Sequence, residues 1–287
     1  MEKIAVDPRT LYVVATPIGN LSDLTDRAKN ILSGVDFILC EDTRHSAPML
    51  EHFNIRNKLI SYFAHNEAMR TGQFLPRLID GESAAIISDA GTPGISDPGA
   101  RIVDACLNAG IRVCPVPGPC AAVCAVAASG FYAFPGFEFI AFFPRKSSER
   151  QSLFQNFEHQ QKLLVGYESP QRIVELLSDL EAVLGAERRV CLARELTKKF
   201  ETLCRGTVAD DRKKLEESPV KGEICLVVEG SLPDESNDDN AFTPEAQKLA
   251  DCLISRNLSA KDIRDIVAEF CNVRPKLVYQ YVLSKRS

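Results

Sequence analysis

The chain has 287 residues, 45% of them hydrophobic and 25% charged, with a formal net charge of -5. That length suits about two compact soluble domains, and no apolar stretch is long enough to span a bilayer. The composition is that of a soluble globular protein, and the net charge disfavours an indiscriminate polyanion binder, although local basic patches remain compatible with nucleic acid.

The N-terminal residues mix Glu2, Lys3, Asp7 and Arg9 and lack a signal peptide's apolar core, so a cytoplasmic protein is expected. The ten cysteines contain no C-x-x-C pair and lie mostly in apolar runs, which suits buried thiols in a reducing compartment. The four histidines are scattered too, and no metal site is expected.

The first half alternates apolar runs with amphipathic segments. LYVVA (11–15) reads as a buried strand, and Thr25 can cap a helix that ends before Gly34. DFILCE (36–41), KLISYF (58–63), AAIIS (84–88) and RVCPV (112–116) read as four more strands. Helices fit near Ala47–Phe53, over about Glu67–Ile79 and over Ala100–Ala109. Apolar strands alternating with helices predict a parallel sheet covered on both faces.

After the small-residue segment CAAVCAVAASG, the second part shows strand-like FEFIAFF, KLLVGYE, RVCLARE, ETLCRG and EICLVVEG. Helices fit Ser148–His159, Gln171–Leu184 and Val208–Glu217. With one helical segment among the last strands, this second sheet is expected to be mixed. The expected division is an N-terminal α/β domain over 10–117, a second α/β domain over 118–230, an acidic linker over 231–242 and a helical unit over 243–287. In that last unit Thr243 begins one helix. Ser259 caps another that carries Ile263, Ile266, Val267 and Phe270 on one face, and Pro275 begins a third. Three short helices with a basic exterior resemble a helix-turn-helix unit.

The unusual residues follow the strands, where open α/β sheets hold ligands. The 88–99 loop, SDAGTPGISDPG, lets backbone approach a ligand closely, yet it carries neither a Walker nor a dinucleotide fingerprint. Glu41, Asp42 and Arg44 follow the second strand, and Glu195 and Lys198 follow RVCLA. Read alone, these charges fit either a polar substrate site or salt-bridged helix caps, and both readings stay open.

The ordered set of strings is far more specific. TPIGNLSDLT (16–25), EDTRHS (41–46), SDAGTPGISDPG (88–99), PGPCAAVCAVAASG (117–130), FPRKSSER (143–150), YESPQR (167–172), ARELTKKFE (193–201) and KGEICLVVEG (221–230) occur in one order. Together they resemble the small-subunit ribosomal RNA methyltransferase I family, the 16S rRNA cytidine-2′-O-methyltransferases of the tetrapyrrole methylase superfamily. The resemblance runs from about Leu11 to Gly230 and extends to the terminal helices. At Gly136 and Ala141 the chain departs from the family's usual arginine and glycine.

The resemblance implies a two-domain α/β fold with S-adenosyl-L-methionine between the domains and no metal. It implies cofactor contacts at Pro17, Ile18, Asp89, Gly91, Thr92, Pro93, Ile95 and Ser96, then at Pro119, Cys120 and Ala121, and finally at Tyr167, Ala193, Glu223 and Ile224. The implied reaction is in-line methyl transfer to a ribose 2′-hydroxyl of 16S rRNA in the small subunit. Glu41, Asp42, Arg44, Glu195 and Lys198 are the catalytic candidates, and Arg145, Lys146, Arg150 and the tail cations are the phosphate candidates. A homodimer with no membrane association is implied as well. The competing readings are a corrinoid-precursor methylase of the same superfamily and a ligand-sensing DNA-binding regulator.

Overall fold

The computed structural model describes residues 6–231, 242–256, 258–271 and 273–286. The chain divides into two compact units, one up to Gly230 and one from Ser231 onward.

The first unit begins with β1 (Thr10–Val14), α1 (Asp26–Gly34), β2 (Phe37–Cys40), α2 (Thr43–His52) and β3 (Leu59–Ser61). It continues with α3 (Glu67–Ile79), β4 (Ala84–Ile87), α4 (Ala100–Asn108) and β5 (Arg112–Val116). The five strands form one sheet in the order β3-β2-β4-β1-β5, and every neighbouring pair is parallel. Alternate strand residues divide between two cores. Tyr12, Val14, Ile38, Cys40, Ala85 and Ile87 pack under α1 and α2 against Ile31, Leu32 and Leu50. Leu11, Phe37, Leu39, Ala84 and Ile86 pack on the other face against Phe74, Leu78, Ile102 and Cys106 of α3 and α4. Burial on both faces is why these strands read as unbroken apolar runs. Each fully enclosed Leu, Ile or Phe contributes about 1.5–3 kcal/mol.

Helix α2 starts four residues earlier than its apolar period suggested. Asp42 caps it, its carboxylate accepting the Arg44 N–H at 2.8 Å, so the polar stretch Thr43–Ser46 becomes the first turn.

The rest of this unit comprises α5 (Ala121–Ser129), β6 (Phe137–Phe142), α6 (Ser147–Phe157), β7 (Leu163–Glu168), α7 (Ile173–Leu184), β8 (Arg189–Arg194), β9 (Thr202–Thr207), α8 (Val208–Glu217) and β10 (Ile224–Val228). Its sheet runs β6-β7-β10-β8-β9, with β6 and β7 parallel and the other pairs antiparallel, the expected mixed sheet. Helices α6, α7 and α8 cover one face through Phe154, Leu177 and Leu215. Helix α5, the small-residue segment, covers the other through Ala122 and Ala125.

The second unit holds α9 (Pro244–Ser255), α10 (Ala260–Cys271) and α11 (Pro275–Arg286) around Ala246, Ala250, Ile263, Val267, Val278 and Val282. Phe270 is not on the packed face: it is 84% exposed. From Ile263 and Val267 the next position one turn on is Cys271, which packs against the core in its place. All but the end residues of the expected acidic linker, 231–242, lie outside the described residues.

Candidate functional site

The loops that leave β1, β4 and β5 at their C-terminal ends are stitched together by backbone. Thr16 donates its N–H to the Gly91 carbonyl at 2.8 Å, and Gly91 returns the bond to Thr16 at 3.1 Å. The Thr16 hydroxyl donates to the Ser88 carbonyl at 3.1 Å, and Thr92 Oγ1 donates to the Pro119 carbonyl at 3.0 Å. Two positions demand glycine. Gly91 has φ +86°, and a Cβ at Gly118 would stand 2.9 Å from the Ala15 Cβ. Ser96 holds the left-handed region without being glycine, at φ +70°. Such local strain is sustained when its surroundings fix it, and it clusters at ligand sites.

These loops form one wall of a cleft of about 440 Å³, and the mixed sheet supplies the other. Of the positions implied by family resemblance, Ile18, Asp89, Gly91, Thr92, Ile95 and Ser96 line it from the first sheet's loops. Cys120 and Ala121 line it at the start of α5, and Tyr167, Ala193, Glu223 and Ile224 from the second sheet. Pro17, Pro93 and Pro119 do not; the first two are buried behind the wall, and Pro119 presents its carbonyl to Thr92. The cleft also takes in Asp97, Phe142, Leu196 and the Glu168–Ser169–Pro170 turn, none of which was expected there. The ISDPG and YESPQR strings were the available signal for Asp97 and the turn. Phe142 gave none, because a register shift between Phe139 and Phe142 turns it outward at the end of β6.

The cleft is electrostatically acidic. Burial pushes the Asp97 carboxyl up to about 6; a hydrogen bond with Ser88 opposes the rise and neighbouring Asp89 adds to it. Burial likewise pushes the Tyr167 phenol above its ordinary range and the Cys225 thiol up to about 12.

A second cleft, of about 490 Å³, adjoins the first at Asp89, which lines both. Glu41, Asp42, Thr43, Arg44, Ser61 and Phe63 complete it. The Asp42 N–H donates to Asp89 Oδ1 at 3.2 Å and ties the ends of β2 and β4 together. Asp42 grips Arg44 with both oxygens, at 3.1 Å to Nε and 2.7 Å to Nη2, and these bonds hold its carboxyl down at about 2. Glu41 is the opposite case. Burial raises its pKa, and the negative charges of Asp89, Asp97 and Asp42 raise it further.

Glu195 and Lys198 lie elsewhere, in the turn after β8, and line neither cleft. Lys198 Nζ donates to Glu195 Oε1 at 2.9 Å and to Glu223 Oε2 at 3.0 Å, and Glu195 Oε1 also accepts the Glu223 N–H at 2.9 Å. That N–H and Lys198 hold the Glu195 carboxyl below its usual range. Burial pulls Lys198 down, yet its two carboxylate partners together outweigh it and leave the net pKa raised. The five catalytic candidates therefore fall into two separate groups: Glu41, Asp42 and Arg44 around one cleft, and Glu195 with Lys198 in a closed ion-pair cluster beside Glu223.

Arg150, expected among the phosphate contacts, is unavailable for that role. It is 2% exposed and commits Nε and Nη2 to Asp179 Oδ2 at 2.6 Å each. A buried guanidinium whose carboxylate partner lies 29 residues away cannot be told from a surface one by its string.

Residues 10–210 match the model of the family described as Tetrapyrrole (Corrin/Porphyrin) Methylases. Proteins called Ribosomal RNA small subunit methyltransferase I are similar over nearly the whole chain. That of Pasteurella multocida is 46% identical over 275 residues, covering 95% of this chain and 96% of its own. That of Escherichia coli O157:H7 is 40% identical over 278 residues, covering 96% and 95%. Among solved structures, uroporphyrin-III-C-methyltransferase from Thermus thermophilus aligns at TM-score 0.53 and 20% identity, over 76% of this chain and 93% of that one. Cobalt precorrin-4 methyltransferase aligns at 0.56 and 15%, over 77% and 95%. At that identity the two structures speak to the fold alone, whereas the full-length relatives and the family match carry more: the chain belongs to the tetrapyrrole methylases and, within them, to the ribosomal RNA small subunit methyltransferase I family.

Proposed function

We propose that this methyltransferase takes its methyl group from S-adenosyl-L-methionine held in the 440 Å³ cleft and transfers it to the ribose 2′-hydroxyl of a cytidine in 16S rRNA of the small ribosomal subunit. The observation that carries this reading is the near-full-length similarity to proteins called Ribosomal RNA small subunit methyltransferase I.

The residues of the cleft fit a ligand that carries a sulfonium and an ammonium. Its walls are apolar at Ile18, Cys120, Ala121 and Ile224, and it presents Asp89 and Asp97. The groups acting on Asp97 are Ser88 and Asp89, with no cation among them, so a positively charged ligand is what the carboxylate lacks. S-adenosyl-L-methionine, when bound, supplies a methyl carbon made electrophilic by the positive sulfur.

The 490 Å³ cleft beyond Asp89 is the proposed seat of the acceptor ribose. A 2′-hydroxyl is a weak acid, so the attacking oxygen must lose its proton as the bond forms. Glu41 is the best-suited base. Among the described residues it makes no ion pair, and its raised pKa brings proton affinity closer to neutrality. Asp42 and Glu195 are the wrong bases, because tight bonds to Arg44 and to Lys198 with the Glu223 N–H hold both in the ionised form. Arg44, whose side chain is 90% exposed, is placed to meet a phosphate at the rim.

We place the protein in the cytoplasm as a homodimer. Among the described residues no helix is long and apolar enough to cross a membrane. Helix α5 is apolar on all sides yet leaves Val123 52% exposed, with Tyr132 and Phe134 exposed just beyond it, a surface suited to a second copy.

The test is incubation of the protein with methyl-labelled S-adenosyl-L-methionine and unmethylated small subunits, then nucleoside digestion. Label in 2′-O-methylcytidine is expected. Label only on a base, or transfer to a tetrapyrrole precursor but not to RNA, overturns the reading.

A further inference from the structure

The FPRK and YESPQR segments have no part in the chemistry above, yet the fold brings them together at the edge of the first cleft. Phe142, Glu168, Ser169 and Pro170 line that cleft. Immediately after Phe142, three successive carbonyls turn inward onto two arginines. Arg172 Nη2 donates to the carbonyls of Phe143 at 3.1 Å and Pro144 at 2.8 Å. Arg150 Nη1 donates to those of Pro144 at 3.3 Å and Arg145 at 2.9 Å. Each guanidinium is anchored in turn by a buried carboxylate: Arg172 by Glu168 at 3.0 Å and Arg150 by Asp179. Arg150, Glu168 and Asp179 are 2%, 4% and 8% exposed.

Buried ion pairs are costly to desolvate and are weak evidence for stability as such. What these two achieve is geometric: they clamp the backbone of residues 143–145. The following side chains are left pointing at solvent. Arg145 is exposed, and among the described residues its side chain makes no ion pair or hydrogen bond. The Lys146 side chain is 77% exposed and meets only Glu149, 53% exposed, in a surface pair worth little. By contrast, Arg44, which lines the second cleft, is matched by Asp42.

We propose that Arg145 and Lys146 grip the phosphate backbone of the acceptor RNA beside the cleft, and that the Glu168–Arg172 and Asp179–Arg150 pairs are positioning residues that hold this grip. The proposal rests on the acceptor being RNA. Preorganising two cations on a clamped turn reduces the ordering cost of binding a flexible polyanion. It also answers how a chain of net charge -5 with an acidic cleft meets an RNA strand.

The test measures methyl transfer to unmethylated small subunits, RNA binding against salt, and S-adenosyl-L-methionine binding by calorimetry. The double variant Arg145→Ala/Lys146→Ala should raise KM for RNA about tenfold at near-constant kcat. Its log affinity against log salt should be shallower by about 1.4, two contacts at about 0.7 each for single-stranded RNA. Affinity for S-adenosyl-L-methionine should be unchanged, and Arg145→Lys should retain most RNA binding. Asp179→Asn, remote from both clefts, should raise KM for RNA while leaving kcat and S-adenosyl-L-methionine affinity intact. If it fails to fold, the alanine double variant alone decides. Wild-type RNA affinity and salt slope in that double variant would overturn the grip. No transfer to RNA by the wild-type protein would instead overturn the functional reading on which the grip rests.

Discussion

Asp97→Asn is the sharpest probe of the cleft's electrostatics. The substitution keeps the shape of the side chain and its ability to bond Ser88, and it removes the charge. Asp97 is raised from its ordinary 3.8 to about 6, chiefly by burial, with Asp89 contributing in the same direction. A folded-state pKa above the unfolded one means that the folded state prefers the proton. The wild type therefore carries no penalty from this group below about pH 4 and loses stability as pH rises through 6. The full rise corresponds to about 3 kcal/mol. The carboxyl is only half-enclosed, so solvent screening reduces this to about 1–2 kcal/mol. At pH 8 the ligand-free Asp97→Asn protein should be more stable than wild type by that amount, or about 3–6 °C in Tm. At pH 4 the difference should vanish. Urea melts at the two pH values measure this directly. The same variant should bind S-adenosyl-L-methionine more weakly, and wild-type affinity should rise between pH 5 and 7 where that of the variant stays flat. A stability gain of equal size at both pH values, or none at pH 8, would show that ionisation of Asp97 is not a cost in the folded protein and would refute the argument.

Three further outcomes follow from local geometry. Gly118→Val would force a Cβ to within 2.9 Å of the Ala15 Cβ and push the β5 loop away from the β1 loop; a loss of about 1–3 kcal/mol in denaturant melts and weaker S-adenosyl-L-methionine binding are expected. Ala141 has φ +59° at the irregular end of β6, so Ala141→Gly should stabilise by up to about 1 kcal/mol, read as a rise in Tm with unchanged activity. Glu195, held below its ordinary 4.5, contributes stability that is present above that pH and lost as pH falls through its folded value. Lys198→Met should therefore flatten the acid limb of stability below the ordinary carboxylate value of 4.5, measured by urea melts on that limb.

What could be read from the chain before folding follows from where each residue's partners lie. β2 and β4 are buried on both faces, so FILC and AAII show as unbroken apolar runs. Helix α5 was invisible as a helix because AAVCAVAAS is apolar at every position before its final Ser129 and has no period to detect. The loop strings that build the first cleft were legible because their residues are near neighbours in sequence and line it together, as Asp89, Gly91, Thr92, Ile95 and Ser96 do. The role of Arg150 was not, since it depends on Asp179, one helix away. Nor was the division of the charged candidates into two groups. Glu41 and Glu195 read alike as acidic residues after strands, and only the fold gives one an adjoining cleft and the other a lysine.

That division bears on how one site handles two substrates of opposite charge. The proposed methyl donor is cationic at its reacting end, and the proposed acceptor is a polyanion. The first cleft carries Asp89 and Asp97, and Glu41 sits just across Asp89 in the second. Carboxylates there attract the donor but would repel RNA phosphates. Beyond the Debye length of about 8 Å, such repulsion is largely screened where solvent is present. The phosphates therefore need to be held at the rim, outside the acidic interior, while a single ribose reaches in. Arg44 on one side and Arg145 with Lys146 near the edge of the first cleft are exposed cations suited to that arrangement. The same logic favours a carboxylate over a lysine as base. A carboxylate that takes the hydroxyl proton becomes neutral as the sulfonium loses its charge, so the cleft remains electrostatically balanced through the transfer. Glu41→Gln, which keeps the shape and cannot accept the proton, should then lower kcat by about 10²-fold or more while leaving both KM values near wild type. A variant with unimpaired kcat would remove Glu41 from the reaction and return the role of base to the RNA or to solvent.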